Sequence, residues 1–276
     1  MPLLPDDSVP NPPPIITLLT DFGSSDIFVG SMKGVILGIN PLAQIVDLTH
    51  TVPPHDIRTA SYLLHSAARY FPPGTIHVAV VDPGVGSERR PLLVFTMEQY
   101  FIAPDNGILS GVLASELDAE IRELTNKQFL LGSIGSTFHG RDVFAPAAAW
   151  LSRGELIESF GPLVENIVRF EVSRARQESG KLLGEVQHID RFGNLITNVS
   201  KEDLVGFAGA AQFGKLRVQI KQTEINGLHY FYADVTAGQL AALVNSDSWL
   251  EIFCNQGRAT DLMKAAIGDR VEVSLP

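Results

Sequence analysis

Cysteine is nearly absent: Cys254 is the only one in 276 residues. An internal disulfide framework is therefore excluded, and the composition fits a reducing, cytoplasmic compartment. The setting of that residue, WLEIFCNQG, is apolar and predicts a buried, inert thiol rather than a nucleophile. Long hydrophobic runs are missing too. No apolar stretch reaches the roughly 18 residues that a membrane span needs, so no membrane partner is expected. Positive charge is scarce, with 21 Lys and Arg against 31 Asp and Glu and a net charge of -10. Such a chain repels phosphate backbones, which argues against nucleic acid as a partner. The sequence has no His-x-x-x-His, no cysteine pair and no Gly-Lys-Ser/Thr loop, so common zinc and nucleotide-phosphate signatures are lacking. The first 14 residues, MPLLPDDSVPNPPP, lack the basic and apolar regions of a signal peptide. They read as a disordered, Pro-rich lead-in.

What is present is a chain with 45% apolar residues, long enough for two domains. IITLL (15–19), AQIVDL (43–48) and TIHVAVVD (75–82) are short apolar runs of strand type. Between the first two, Ile27, Met32, Val35, Ile36 and Ile39 keep helical spacing, with Ser24, Ser25 and Asp26 as capping candidates. HDIRTASYLLHSAARYF supplies a second helix before Pro72-Pro73-Gly74. This β-α-β-α-β order predicts an α/β domain, 15–175, with a largely parallel sheet. LLVFTMEQYFIAPD reads as two strands about a tight turn, and NGILSGVLASEL as the start of a helix. RDVFAPAAAWLSRG is a further helix, with Pro146 placing its first turn near Ala145 or kinking it. After Gly180 the pattern changes. KLLGEVQHID, NLITNVS, KLRVQI, LHYFYADV, WLEIFCN and RVEVSL are short strands separated by turns, with RATDLMKAAIG as a lone helix. They predict a smaller all-β, barrel-like domain over 182–276.

Asp21, Asp47, Asp82 and Asp105 each follow an apolar strand candidate. Ligands of open parallel sheets bind beyond the carboxyl ends of the strands, so these carboxylates are candidates to line one crevice. They suit Mg²⁺ for phosphate chemistry, or direct binding of an organic cation and a sugar diol. Arg89 and Arg141 fall in candidate site loops. His65 and His77 lie in a helix and a strand and read as structural. His139 sits in the polar turn STFHGRD and is a candidate acid–base or orienting group.

Four segments, LLTDFG, VDPGVGSERR, FHGRDVFAP and DRFGNLITN, together resemble the S-adenosyl-L-methionine (SAM) hydrolase family, also called SAM hydroxide adenosyltransferases, which is related to the fluorinase and chlorinase enzymes. The resemblance runs in order from about Ile15 to the C-terminus. It implies an α/β domain, a C-terminal β-barrel, and a homotrimer with active sites at subunit interfaces. It implies SAM as substrate, adenosine and L-methionine as products, and neither metal nor cofactor. By position, Asp82, Arg89 and His139 match the catalytic trio of the hydrolase branch; the halogenases carry Tyr where Asp82 stands. Asp21 matches the carboxylate that grips the ribose hydroxyls, and Asp190 the acid near the methionine ammonium. Phe192 and Asn194 match adenosine-contacting positions, and Ser246 a residue near the methionine end. Two positions depart from the fluorinase pattern: Asp247 replaces an arginine on the methionine carboxylate, and His55 replaces a tryptophan. Readings from other classes are a noncatalytic SAM or adenosine sensor, a Mg²⁺-dependent phosphohydrolase, and a residual halogenase-like side activity.

Overall fold

The computed structural model describes residues 12–114, 116 and 118–276. Residues 1–11 of the expected lead-in lie outside the described residues. The chain divides into two compact units, Met1–Glu171 and Val172–Pro276.

The N-terminal unit begins with β1 (Ile15–Thr20), α1 (Phe28–Ile39), β2 (Gln44–Thr49), α2 (Ile57–Ala68) and β3 (Ile76–Val80). The antiparallel pair β4 (Pro91–Thr96) and β5 (Gln99–Pro104) follows, then β6 (Glu120–Glu123) and α3 (Ala145–Leu151). The sheet order is β2-β1-β3-β5-β4-β6. β1 pairs in parallel with β2 and β3, and β3 with β5, so the α/β reading with a largely parallel sheet is correct. β1 and β3 are buried along nearly their whole length, as expected for strands covered on both faces. One layer of the core joins Ile16, Leu18, Met32 and Ile36 to the alanines of α3. The other joins Leu19, Ala60, Leu64, Val81 and Phe101.

The C-terminal unit is an antiparallel, barrel-like sheet. Its strands are β7 (Arg176–Glu178), β8 (Lys181–Ile189), β9 (Leu195–Ser200), β10 (Arg217–Ile220), β11 (Thr223–Asn226), β12 (Leu240–Val244), β13 (Trp249–Cys254) and β14 (Arg270–Ser274). They run in the order β11-β10-β14-β8-β9-β13-β12, with β7 on β8. Leu182, Val186, Leu195, Val218, Leu250, Ile252 and Val273 fill its interior, and Cys254 is buried with them.

Several expectations change. NGILSGVLASEL is not helical where described: 105–114 is a chain of turns. Gly107 has φ 99, and the Gly111 N–H donates to Ser61 Oγ (2.8 Å), so backbone donors go elsewhere than a helix ladder. LHYFYADV is no strand, because Asp234 Oδ2 accepts the N–H groups of both Tyr230 and Phe231 and closes a short 3₁₀ turn. The barrel helix is not alone. Besides α5 (Ala259–Met263), α4 (Lys201–Ala208) begins at a capping box between Ser200 and Asp203. None of Ser24, Ser25 and Asp26 caps α1, whose flanking residue is Ile27. α3 does begin at Ala145, as Pro146 suggested, and what the sequence did not show is the one π-helical turn, Gly140–Phe144, that precedes it. Pro146 has no N–H to offer the Asp142 carbonyl four residues back, and that carbonyl accepts from Leu131 N instead (3.0 Å).

Candidate functional site

In the N-terminal unit the chain runs from β1 outward to β2 and returns to place β3 on the other side of β1. The carboxyl ends of β1 and β3 thus flank the point where strand order reverses, the usual ligand crevice of such sheets. Thr20 pairs with Val80. Asp21 and Asp82 therefore leave neighbouring strand ends, one and two residues further on. Asp82 starts a tight loop closed by Val85 N to Asp82 O (3.2 Å) and Ser87 N to Gly84 O (3.0 Å). Gly86 has φ 79, and a Cβ there would stand 2.3 Å from the Ser136 carbonyl oxygen. Only a glycine allows this loop to lie so close to the segment that leads to His139.

That loop folds Arg89 back onto Asp82. Nε donates to Oδ1 and Oδ2 at 3.0 and 2.9 Å, and Nη2 to Oδ2 at 2.5 Å. Both side chains are nearly buried, at 8% and 4% exposure. Arg89 Nη2 also reaches His139 Nδ1 at 2.7 Å. A guanidinium has only donors, so Nδ1 is the acceptor and a neutral ring carries its proton on Nε2. Burial and the Arg89 charge hold the imidazole below its ordinary pKa, opposed by Asp82, Asp142 and a backbone hydrogen bond with Gly135. The Arg89 guanidinium lies 5.4 Å over the Phe144 ring. Asp142, fully buried, fixes the approach to His139 by accepting from Gly135 N (2.8 Å) and Arg141 Nε (2.6 Å). Burial resists its ionisation, but these donors outweigh it and keep the carboxyl below its usual range. Arg141 is thus a partner of Asp142.

Asp21 is half-buried, and its Oδ2 accepts from His55 N (2.9 Å). His55 has φ 68, a left-handed conformation imposed on a residue with a side chain. The other two strand-end aspartates are engaged by partners of their own. Asp47 lies within β2 and pairs with Lys33 (2.7 Å) and His50 (3.0 Å). Asp105 is buried against Arg90 (2.6 Å) and Val168 N (2.7 Å). His77 is fully buried between Thr17 (2.7 Å) and Gln99 (3.2 Å). Among the described residues no group of three or more His, Cys, Asp or Glu side chains is arranged to hold a metal ion.

In the C-terminal unit the turn between β8 and β9 is built on Asp190. It accepts from Asn194 N (2.8 Å) and Asn194 Nδ2 (3.1 Å). Gly193 in this turn has φ 83 and lies against the Arg258 side chain. The same turn leaves Phe192 72% exposed, an unusual position for so large an apolar ring. Ser246 is exposed in the turn after β12, where Asn245 Oδ1 accepts from Asp247 N and Trp249 N, each at 3.0 Å. Sequence reasoning passed over Glu251, which is buried and bonded to Tyr232 (2.8 Å) and Asn245 (3.1 Å). An acid inside the apolar run WLEIFC was the available signal.

Comparison with known proteins agrees with this architecture. Residues 16–161 match the model of the SAM hydroxide adenosyltransferase N-terminal domain, and residues 184–272 that of its C-terminal domain. The chain is 37% identical over 267 residues to the (R)-S-adenosyl-L-methionine hydrolase of Salinispora tropica, covering 95% of this chain and 98% of that protein. A fluorinase of an Actinoplanes species is more distant, at 28% over 218 residues, covering 69% of this chain and 73% of that one. A crystal structure of an uncharacterized conserved protein from Thermotoga maritima superposes with a TM-score of 0.89 at 37% identity, over 94% of this chain and 99% of that one.

Proposed function

The chain belongs to the SAM hydroxide adenosyltransferase family, and on that premise we propose that it hydrolyses S-adenosyl-L-methionine to adenosine and L-methionine. The observation that carries the reading is the bonded chain Asp82–Arg89–His139 at the strand-end crevice. Water oxygen forms a bond to C5' of the ribose as the C5'–sulfur bond breaks. The bonding pair goes to sulfur, and the sulfonium leaves as the neutral thioether of methionine. Sulfur needs no proton on departure, so the protein's task is to hold a water in line and accept its proton.

The hydrogen bonding favours Asp82 as the acceptor. His139 Nδ1 accepts from Arg89 and its one N–H is engaged by the Gly135 backbone, so the ring keeps no free lone pair to deprotonate a water and serves to hold Arg89 in place. Arg89 holds both partners and stabilises the developing hydroxide. In this reading Asp21 binds the ribose diol through its carboxylate. Asp190, Phe192, Asn194 and Ser246 hold the adenosine and methionine portions. We further infer a trimer in which each site combines the N-terminal unit of one subunit with the C-terminal unit of another. The Salinispora tropica relative is an (R)-S-adenosyl-L-methionine hydrolase, and (R)-SAM is the expected substrate here.

The test is turnover of SAM in ¹⁸O-water with mass detection of the products. Label should appear in the 5'-hydroxyl of adenosine, and unlabelled adenosine or no adenosine would refute hydrolysis at C5'. Asp82→Asn and His139→Ala should each lower kcat by about 10²-fold with a much smaller change in KM. A raised KM with unchanged kcat would make them substrate-binding groups instead.

A further inference from the structure

Glu251 stands where a carboxylate is costly. Along β13, Leu250, Ile252 and Cys254 turn into the barrel core. Glu251 and Phe253 alternate with them onto the opposite face, and a register shift between Trp249 and Glu251 marks an irregularity in the pairing with β9. That face carries a second, smaller core of Val235, Ala241, Leu243 and Phe253, a costly place for a carboxylate. Here Glu251 is only 3% exposed, because the loop before β12 lies over it. Tyr232 of that loop packs edge-on against Phe253, with ring centroids 4.9 Å apart, and extends its hydroxyl to Glu251 Oε1 at 2.8 Å. The other carboxylate oxygen, Oε2, accepts from Asn245 Nδ2 at 3.1 Å. Asn245 cannot turn its amide over without loss, since Oδ1 already holds Asp247 N and Trp249 N. One buried carboxyl thus ties two separate surface segments: the Tyr232 loop, whose ring is half exposed, and the turn that carries Ser246. A buried acid is a poor stabiliser compared with an apolar residue of similar size, which points to a role in placing groups.

We propose that Glu251 is a positioning residue for substrate binding, holding the Tyr232 ring and the Asn245–Ser248 turn in one relative geometry. The proposal rests on the hydrolase reading for the identity of the ligand. Its field is also informative. Burial pushes the Glu251 carboxyl above its usual range, aided by Asp190 and Asp247 nearby and opposed by the bonds from Tyr232 and Asn245. Two roles are therefore separable: placing the two segments, or supplying negative charge to a cationic ligand.

The experiment compares Glu251→Gln, Glu251→Ala and Tyr232→Phe in the full chain, by steady-state kinetics with SAM and by calorimetric binding of SAM. A glutamine can accept from Asn245 through Oε1 and donate to the tyrosine oxygen through Nε2, so it keeps the geometry and removes the charge. Glu251→Gln should leave KM and Kd within about threefold of wild type. Glu251→Ala should raise both by about tenfold with kcat much less affected. Tyr232→Phe cuts one tie without altering the strand, and its effect should vanish when added to Glu251→Ala. Equal impairment of Glu251→Gln and Glu251→Ala would overturn positioning in favour of charge. Wild-type behaviour of folded Glu251→Ala, or additive effects of the two deletions, would also overturn it. A wild-type chain that makes no adenosine from SAM refutes the hydrolase reading alone, and the binding series then still decides the role of Glu251.

Discussion

At the scale of single residues, burial separates two histidines with different work. His139 is linked to Arg89, and burial and that guanidinium hold its pKa below the ordinary value. His77 is enclosed in the sheet core, where burial depresses its pKa from 6.5 to about 4 against the opposing hydrogen bond of Gln99. Its folded pKa lies below the unfolded one, so the unfolded chain takes up the proton first. The stabilisation is complete above pH 6.5 and is lost as pH falls from 6.5 towards about 4, up to roughly 3 kcal/mol. Urea unfolding at about pH 7.5 and 4.5 should show wild type losing more stability than His77→Gln. Equal losses would assign the acid sensitivity to carboxylates such as Asp142.

At the scale of the element, the loop from Asp82 to Arg89 depends on Gly86. The backbone there is left-handed, and the Ser136 carbonyl fills the space a side chain would need. Gly86→Ala should destabilise the protein by about 1–3 kcal/mol and lower kcat at least tenfold, because loop and ion pair must shift together. Gly74 is the matched control. Its φ of 79 is the same, but nothing lies within 4 Å of an added Cβ. Gly74→Ala should show the backbone strain in its thermal midpoint and retain wild-type kcat. If both variants keep full activity, the close approach at Gly86 is irrelevant to catalysis. The π-helical turn before α3 has the same character. Pro146 removes one ladder bond, and the freed Asp142 carbonyl ties down Leu131 while its side chain holds the approach to His139.

At the scale of the whole molecule, the proposed residues fall on two compact units. Asp21, Asp82, Arg89 and His139 belong to the first, and Asp190, Phe192, Asn194 and Ser246 to the second. Under the shared-site reading, neither Asp82→Ala nor Asn194→Ala chains are active alone. Co-expressed with different tags and purified as mixed oligomers, they should recover part of the wild-type activity. The rebuilt sites would pair the first unit of the Asn194→Ala chain with the second unit of the Asp82→Ala chain. Mixed oligomers no more active than either parent, or a fully active monomer in size-exclusion chromatography at assay concentration, would refute a shared site.

The sequence alone determined the parts that depend on local pattern. Apolar runs and helical spacing specified β1, α1, β2, α2 and β3, and with them the crossovers that make a parallel sheet. The burial of Cys254 and His77 followed from their apolar neighbours. Even the missed helix α4 had its capping pair, Ser200 and Asp203, in view. Tertiary structure decided wherever a backbone group or carboxylate had a distant partner to choose. Ser61 draws the Gly111 N–H away from a helix, and Asp234 draws two N–H groups away from a strand. Asp47 and Asp105, equal to Asp82 in sequence setting, end in ion pairs with Lys33 and Arg90. Glu251 is buried on the strand face it shares with Phe253, and its partner there, Tyr232 of a separate loop, is one that local pattern does not name. Local preferences are set by a few neighbouring residues, whereas the partner of a buried polar group is set by which segments the fold brings within about 3 Å.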